Sequence, residues 1–341
     1  MTSKHARTRD VTERAVGTLL AVLPRSVNAR VPRQNRKEGP DLIVGDQPLE
    51  IKWVGEGSLG DARRAIAGHN SRPDIVVARR LSPGAREVLS KAGIGWVDET
   101  GAAEIAVGSI IVSRTGRTPE PAPKAKRWTS SVIAVAEALL CETKPTVAAT
   151  ASATGLSVGS CTQALRVLAD LDLLEAPARR GRGSGRRVSD SDRLLEAYAS
   201  VVERTSTSIS LQIGVTWRDP VAGLEETGRK WDRAKIGWAA TGAAAASVIA
   251  PFLTTVTTTD VYVDSDSIVG LEAAAAAVKL RPIEGGRLTL RPFPTVAVRE
   301  LAVEAGGLRV APWPRVYVDL RRSGVRGEEA AEHLREVVRA G

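Results

Sequence analysis

Apolar residues recur at helical spacing at Val11, Ala15, Leu19 and Leu20, behind Asp10, which is expected as the cap, and Pro24 ends the run. The period then shortens. Leu42–Val44 and Leu49–Val54 are short apolar runs divided by Gly45, Asp46, Gln47 and Pro48, a tight-turn composition that predicts a hairpin. A helical pattern over 61–67 leads to a strand-like run over 74–78, a helix opened by Ser82 and Pro83, a strand over 94–97, and two short strands between Ala103 and Val112. This alternation predicts an α/β domain over residues 1–116.

Pro119, Pro121 and Pro123 favour extended geometry and predict a linker over 117–127. Three closely spaced helices follow from Trp128 to about Leu174, then an arginine- and glycine-rich loop and a helix over 194–202, which makes 128–203 a second domain. Beyond it, strands near 208–215, 260–263, 288–291 and 316–320, with helices near 242–249, 271–278 and 328–339, predict a C-terminal α/β domain over 204–341. The expected class is therefore α/β and multidomain.

The 341-residue chain is 43% apolar but only 4% aromatic, so its cores are expected to be built from Val, Leu, Ile and Ala. Lys and Arg outnumber Asp and Glu by 48 to 39, a net charge of +9 that favours a polyanionic partner where the excess is clustered. Cys141, Cys161 and three histidines supply neither a disulfide framework nor a zinc site of two Cys and two His. With so few cysteines, and no apolar run of leader or membrane-spanning type, the expected setting is the reducing cytoplasm, away from any membrane.

Candidate chemistry in the first domain lies in Gly39-Pro40-Asp41 and Leu49-Glu50-Ile51-Lys52. If Gly45 to Pro48 form the turn, Val44 faces Leu49, Ile43 faces Glu50 and Asp41 faces Lys52, so three charged groups share one side of the ladder. Asp41 and Glu50 are then diagonal neighbours roughly 7–8 Å apart, a span that one divalent cation can bridge. Two carboxylates beside a lysine suit metal-assisted phosphodiester cleavage, although the same three residues also fit the solvated face of an ordinary hairpin. The set Pro40, Asp41, Glu50, Lys52 resembles the signature of the PD-(D/E)XK, restriction-endonuclease-like superfamily. That resemblance implies Asp41 and Glu50 as ligands of Mg2+, Lys52 as the catalytic lysine, and Glu13 on the preceding helix as a further acidic residue.

In the second domain Val147, Ala148 and Ala151 suit a short helix, Thr154-Gly155-Leu156-Ser157 a turn, and Ser157 a cap for a third helix from Val158. Val158, Cys161, Leu165 and Leu168 are its expected inward stripe, leaving Ser160, Thr162, Gln163 and Arg166 to meet base edges and phosphates in a major groove, with Ser157 at its start. The loop that follows carries Arg179, Arg180, Arg182, Arg186 and Arg187 between strands beginning near Leu174 and Arg187, the position of the wing in a winged helix-turn-helix. The expected partner is double-stranded DNA, although a plain three-helix bundle with a solvated loop has the same pattern. In the last domain Asp264 and Asp266 form an Asp-x-Asp pair that is usually a turn feature.

Several short segments together resemble AbiEi-like antitoxins of type IV toxin–antitoxin systems and related winged-helix regulators with a nuclease-like amino-terminal region. They are Ser82-Pro83-Gly84-Ala85-Arg86 with Leu89, Gly93 to Asp98 with Gly101, Gly155 to Gly159, Ala240 to Ala245 with Ala250-Pro251, and Tyr317 to Leu320. Ala102 stands where such proteins commonly carry Asn. The resemblance implies promoter-binding autorepression, with a cognate toxin or self-association through the C-terminal domain as the protein partner. The alternative function is a Mg2+-dependent DNA endonuclease targeted by the winged helix.

Overall fold

A computed structural model describes residues 2–24, 27–32, 39–68, 72–108, 110–116, 128–175, 186–205, 209–253 and 255–340, without the side chains of 2–10 and 110. The chain is mixed α/β, with thirteen helices among the described residues, and it divides into two compact units, Met1–Lys124 and Ala125–Gly341. The proposed linker over 117–127 lies outside the described residues. Among the described residues no helix is long and apolar enough to cross a membrane.

In the first unit, helix Thr2–Val22 buries Ala15, Val16, Leu19 and Val22. Val11 and Leu20, expected inward, are 39% and 40% exposed because the buried stripe runs through Val16 and Val22 instead. Strands Ile51–Trp53, Ile75–Ala78, Gly95–Asp98, Ala102–Val107 and Ile110–Thr115 form a five-stranded sheet in that order. The first three run parallel and the last two antiparallel. Alternation along Ile75–Ala78 divides two cores: Ile75 and Val77 join Leu19 and Leu42, whereas Val76 and Ala78 join Ala62, Ala85 and Leu89 of helices Leu59–Ala67 and Pro83–Lys91. Ser58 and Ser82 cap those helices as their sequences require.

The hairpin forms with a different register. Leu42 pairs with Leu49, Ile43 with Pro48 and Val44 with Gln47, in a three-stranded sheet with Ala29–Arg30. The turn is two residues, Gly45-Asp46, with Gly45 at φ +60°, the geometry in which the first central residue favours glycine. Pro48 belongs to the strand rather than the turn: Gln47–Leu49 is an edge, where a missing N–H costs no ladder bond. Lys52 therefore does not face Asp41, because Ile51–Trp53 has already passed into the next sheet.

The second unit opens with helices Ser130–Leu140, Val147–Thr154 and Val158–Asp170, a two-stranded ribbon of Leu174–Glu175 and Arg187–Val188, and helix Ser191–Arg204. A seven-stranded sheet follows, ordered Arg281–Pro282, Leu211–Gly214, Leu288–Pro292, Thr259–Val263, Trp238–Thr241, Leu308–Val310, Val303–Ala305. Helices Pro220–Arg233 and Ile268–Ala277 pack together, Trp231 donating from its indole to the Ala274 carbonyl at 2.8 Å. Helices Gly242–Ile249, Trp313–Arg321 and Gly324–Ala340 form a second group. One apolar cluster runs from Val132 through Leu165 and Tyr198 to Val261 and Leu334, so residues 128–203 and 204–341 share a core. Residues 316–320, expected as a strand, are helical: Pro312 precedes the first turn, Pro314 lies within it, and Val316, Tyr317, Val318 and Leu320 are buried on a helix lying among others.

Candidate nucleic-acid interface

Thr129, Thr146 and Ser157 each cap one of the three helices, accepting from the amides of Val132, Ala149 and Ser160. Gly155 ends the middle helix at φ +68°, where a left-handed residue lets the chain reverse into the third helix within Gly155-Leu156-Ser157. That third helix buries Cys161, Ala164, Leu165 and Leu168. Val158, expected on this stripe, is 65% exposed, since the stripe begins at Cys161 and takes in Ala164.

The outer stripe is Gly159, Gln163, Arg166 and Asp170, all exposed. Ser160 and Thr162 are half-buried on its flanks, and the Thr162 hydroxyl donates to the Val158 carbonyl at 2.8 Å, leaving its methyl as the contact it can offer. Ser157 is exposed, with its hydroxyl engaged at the cap. Arg166 reaches Gln163 Oε1 only at 3.5 Å and makes no ion pair among the described residues. Gly159 and Asp170 escaped sequence reading, although the 3.6-residue period from Gln163 and Arg166 reaches both.

The ribbon aligns Arg187 with Glu175, and the two side chains form an ion pair, with Arg187 Nε donating to Glu175 at 2.6 Å. Arg186 is half-buried and unpaired among the described residues. Arg179, Arg180 and Arg182 lie outside the described residues. A groove of about 580 Å³ lies between the start of the first helix, at Thr129 and Val132, and Ser160, Gln163 and Val167 of the third.

The carboxylate set in the first unit gathers around a break at Glu50. The Glu50 carbonyl accepts from the amides of Asp74 and Ile75, its amide donates to Asp74 Oδ2 at 2.8 Å, and the Ile51 amide donates to Asp41 Oδ2 at 2.8 Å. Asp41 and Asp74 thus stitch the strand crossing, while Glu50 and Lys52 expose their side chains. Asp74 was missed, although Pro73-Asp74 repeats the Pro40-Asp41 pattern. Glu13 is exposed on the first helix. Among the described residues no group of three or more His, Cys, Asp or Glu side chains is placed to hold a metal ion. Asp41 and Asp74 each give one carboxylate oxygen, Oδ2, to a backbone amide.

A buried polar cluster lies beneath the three helices. Glu137 of Ser130–Leu140 is wholly buried, accepting from the Tyr198 hydroxyl and from Thr295 Oγ1 at 3.3 Å. Burial holds its carboxyl above the usual range, partly opposed by the Arg315 guanidinium. Asp319 accepts from Thr241 at 2.6 Å and Tyr262 at 2.5 Å, so this part of the Tyr317–Leu320 segment is structural. Asp264 is bound by Arg299, both oxygens at 3.3 Å. No family model matches this chain, and no curated protein or solved structure does.

Proposed function

We propose that the chain is a sequence-specific double-stranded DNA-binding transcriptional regulator in which residues 128–203 act as a winged helix-turn-helix. The observation that carries this reading is the outer stripe of helix Val158–Asp170, uncovered within its own unit and followed at once by a two-stranded ribbon whose connecting loop holds the densest arginine run in the sequence. In a major groove the Gln163 amide suits adenine and the Arg166 guanidinium suits guanine or a phosphate, while the exposed Val158 methyls suit a thymine methyl. The loop arginines would supply sequence-independent affinity through phosphates. Autorepression of an antitoxin gene, with a toxin or a second copy as protein partner, is the regulatory setting that the family resemblance supports.

Fluorescence anisotropy on duplexes selected from a random pool tests the reading. Gln163→Ala and Arg166→Ala should each lower preference for the selected site by about 1–3 kcal/mol, and Arg182→Ala with Arg186→Ala should weaken all duplexes and flatten the salt slope by about one unit per lost phosphate. Affinity and slope unchanged in all variants would refute it. The second reading, an endonuclease, draws on Asp41 and Asp74 meeting the backbone at Glu50 and Ile51, at the strand break. It predicts nicking in Mg2+ or Mn2+ that Lys52→Ala abolishes with binding intact, and a wild-type protein that never cuts ends it.

A further inference from the structure

A sheet ends in edge strands whose outer N–H and C=O groups are unpaired, and proteins blunt such edges with short strands, prolines and charges. This chain does so at every other sheet edge among the described residues. Ala29–Arg30, Arg281–Pro282 and both strands of the ribbon are two residues long. Gln47–Leu49 carries Pro48, Ile51–Trp53 carries Lys52 and Val303–Ala305 carries Glu304, in three residues each. Ile110–Thr115, at the edge of the first unit's sheet, is six residues long, has no proline, and holds its single charge, Arg114, near one end.

Val112 turns into the core with Leu19 of helix Thr2–Val22 and is 6% exposed. Ile111, on the opposite face, is 81% exposed, the highest value for any large apolar side chain among the described residues. The register with Ala102–Val107 puts Ile111, Ser113 and Thr115 on one face with Glu104 and Ala106, and all five are exposed. Among the described residues no hydrogen bond reaches the outer side of the strand. A solvated edge gains nothing from an isoleucine there; a paired edge does, because β-branched side chains interact across neighbouring strands.

The strand is complementary to itself. Two copies related by a two-fold axis normal to the sheet run antiparallel, and each residue then faces one from the same side of the sheet. With Ser113 opposite Ser113 of the second copy, Ile111 faces Thr115 and Val112 faces Arg114. Two β-branched side chains then meet, and the methylenes of Arg114 lie along Val112. Moving the axis by one residue, to Val112 opposite Val112, sets Ile111 against Ser113 and Arg114 against Ile110. In neither register do like charges oppose each other, so the sequence of the strand supplies its own occupant.

We propose that Ile110–Thr115 pairs edge to edge with the same strand of a second copy of this chain, joining two five-stranded sheets into one. The inference rests on this strand and not on how residues 128–203 engage DNA. A strand of this length covers less than the roughly 800 Å² per partner of a standard interface, so the pairing is expected in the micromolar range. The test is sedimentation velocity on the full chain without DNA, from about 1 to 100 μM, with calorimetric melts of each variant. The wild type should pass from monomer to dimer across that range. Ile111→Lys and Thr115→Lys should each raise the dissociation constant by at least about tenfold, since each change enters the two-fold contact twice and places ammonium groups on the paired edge. Both side chains are exposed, so the unfolding temperature of the dilute protein should stay nearly unchanged, and misfolding of one variant leaves the other to decide. Val303→Lys, at an edge of the other unit's sheet and 57% exposed, should dimerise as the wild type does. A chain that is monomeric at every concentration overturns the proposal. So does a dimer that Ile111→Lys and Thr115→Lys leave intact, or one that Val303→Lys dissolves as readily.

Discussion

Gly155 is where the proposed reading helix is aimed, and replacing it isolates a conformational cost from a steric one. Its φ of +68° is left-handed, and an L side chain there costs roughly 1–2 kcal/mol. Space is not the obstacle: a Cβ would lie 3.6 Å from Val296 Cγ1 and 3.7 Å from Glu300 Cγ, ordinary contact distances. Gly155→Ala should therefore destabilise by about 1–1.5 kcal/mol, the new contacts and the stiffer unfolded chain offsetting a few tenths. In a unit of this size that corresponds to a Tm lowered by roughly 2–6 °C. Gly155→Asn should recover part of the loss, because Asn tolerates this region, and Gly155→Val should lose more, because β-branching does not. Calorimetric melts of the three variants, with urea unfolding as a check, give the order Asn above Ala above Val. Equal melting temperatures across the series, or Asn falling below Val, would show that the turn relaxes to another conformation and would refute the argument.

Three further outcomes follow from buried groups. Burial raises the Glu137 carboxyl, so its contribution to stability is complete below the unfolded-state value and falls as pH rises through the folded-state one; Glu137→Gln should raise Tm more in mildly alkaline than in mildly acidic buffer, and an equal gain in both would refute it. Arg335 is 2% exposed and contacts Glu196 at 3.1 Å and Glu332 at 3.4 Å, so Arg335→Ala should cost about 3–5 kcal/mol in urea unfolding, and a loss below ~1 kcal/mol would contradict the desolvation argument. Partial burial, with Glu137 and Glu142 nearby, pushes the half-buried Cys141 thiol up to about 12, and Cys161 is fully buried; both should label slowly in the native protein and fast once urea is added, and rapid labelling of the native protein would be the contrary result.

Local chemistry made much of this fold legible. Ser58, Ser82 and Ser157 introduce helices as such residues do, Gly155 marks the reversal between two of them, and helix Gly242–Ile249 spans the residues its pattern indicates. The failures are equally physical. The run from Val316 to Leu320 is largely apolar, with Val316, Tyr317 and Val318 of strand-favouring type, and periodicity cannot tell a buried helix from a buried strand over so few residues. Pro48 reads as a turn residue unless the strand is known to be an edge, a tertiary fact. Helix Pro220–Arg233 carried a readable signal, Asp219 followed by Pro220, that the loose alternation around it concealed. Glu137 could not be anticipated at all: a lone acid in an apolar helix is a burial partner only once Tyr198 and Thr295 arrive from far along the chain.

Why residues 128–203 and the sheet form one unit can be traced to helix ends. The last carbonyls of a helix have no partner within it and must find one outside. At the end of Ser130–Leu140 the Leu140 carbonyl accepts from the Trp313 indole at 3.1 Å, and at the end of Ser191–Arg204 the Val202 and Glu203 carbonyls accept from Arg322 at 2.8 and 3.2 Å. A guanidinium there also meets the negative end of the helix dipole. Arg321 adds ion pairs to Glu196 and Glu203 on the same helix, at 3.1 and 3.0 Å. Helices Ser130–Leu140 and Ser191–Arg204 are thus completed by side chains from Trp313–Arg321 and its following residue, so division at residue 203 would leave their ends unpaired as well as opening the shared apolar core. Helix Val158–Asp170, which carries Gln163 and Arg166, packs on Ser130–Leu140, and its placement therefore depends on the second unit as a whole.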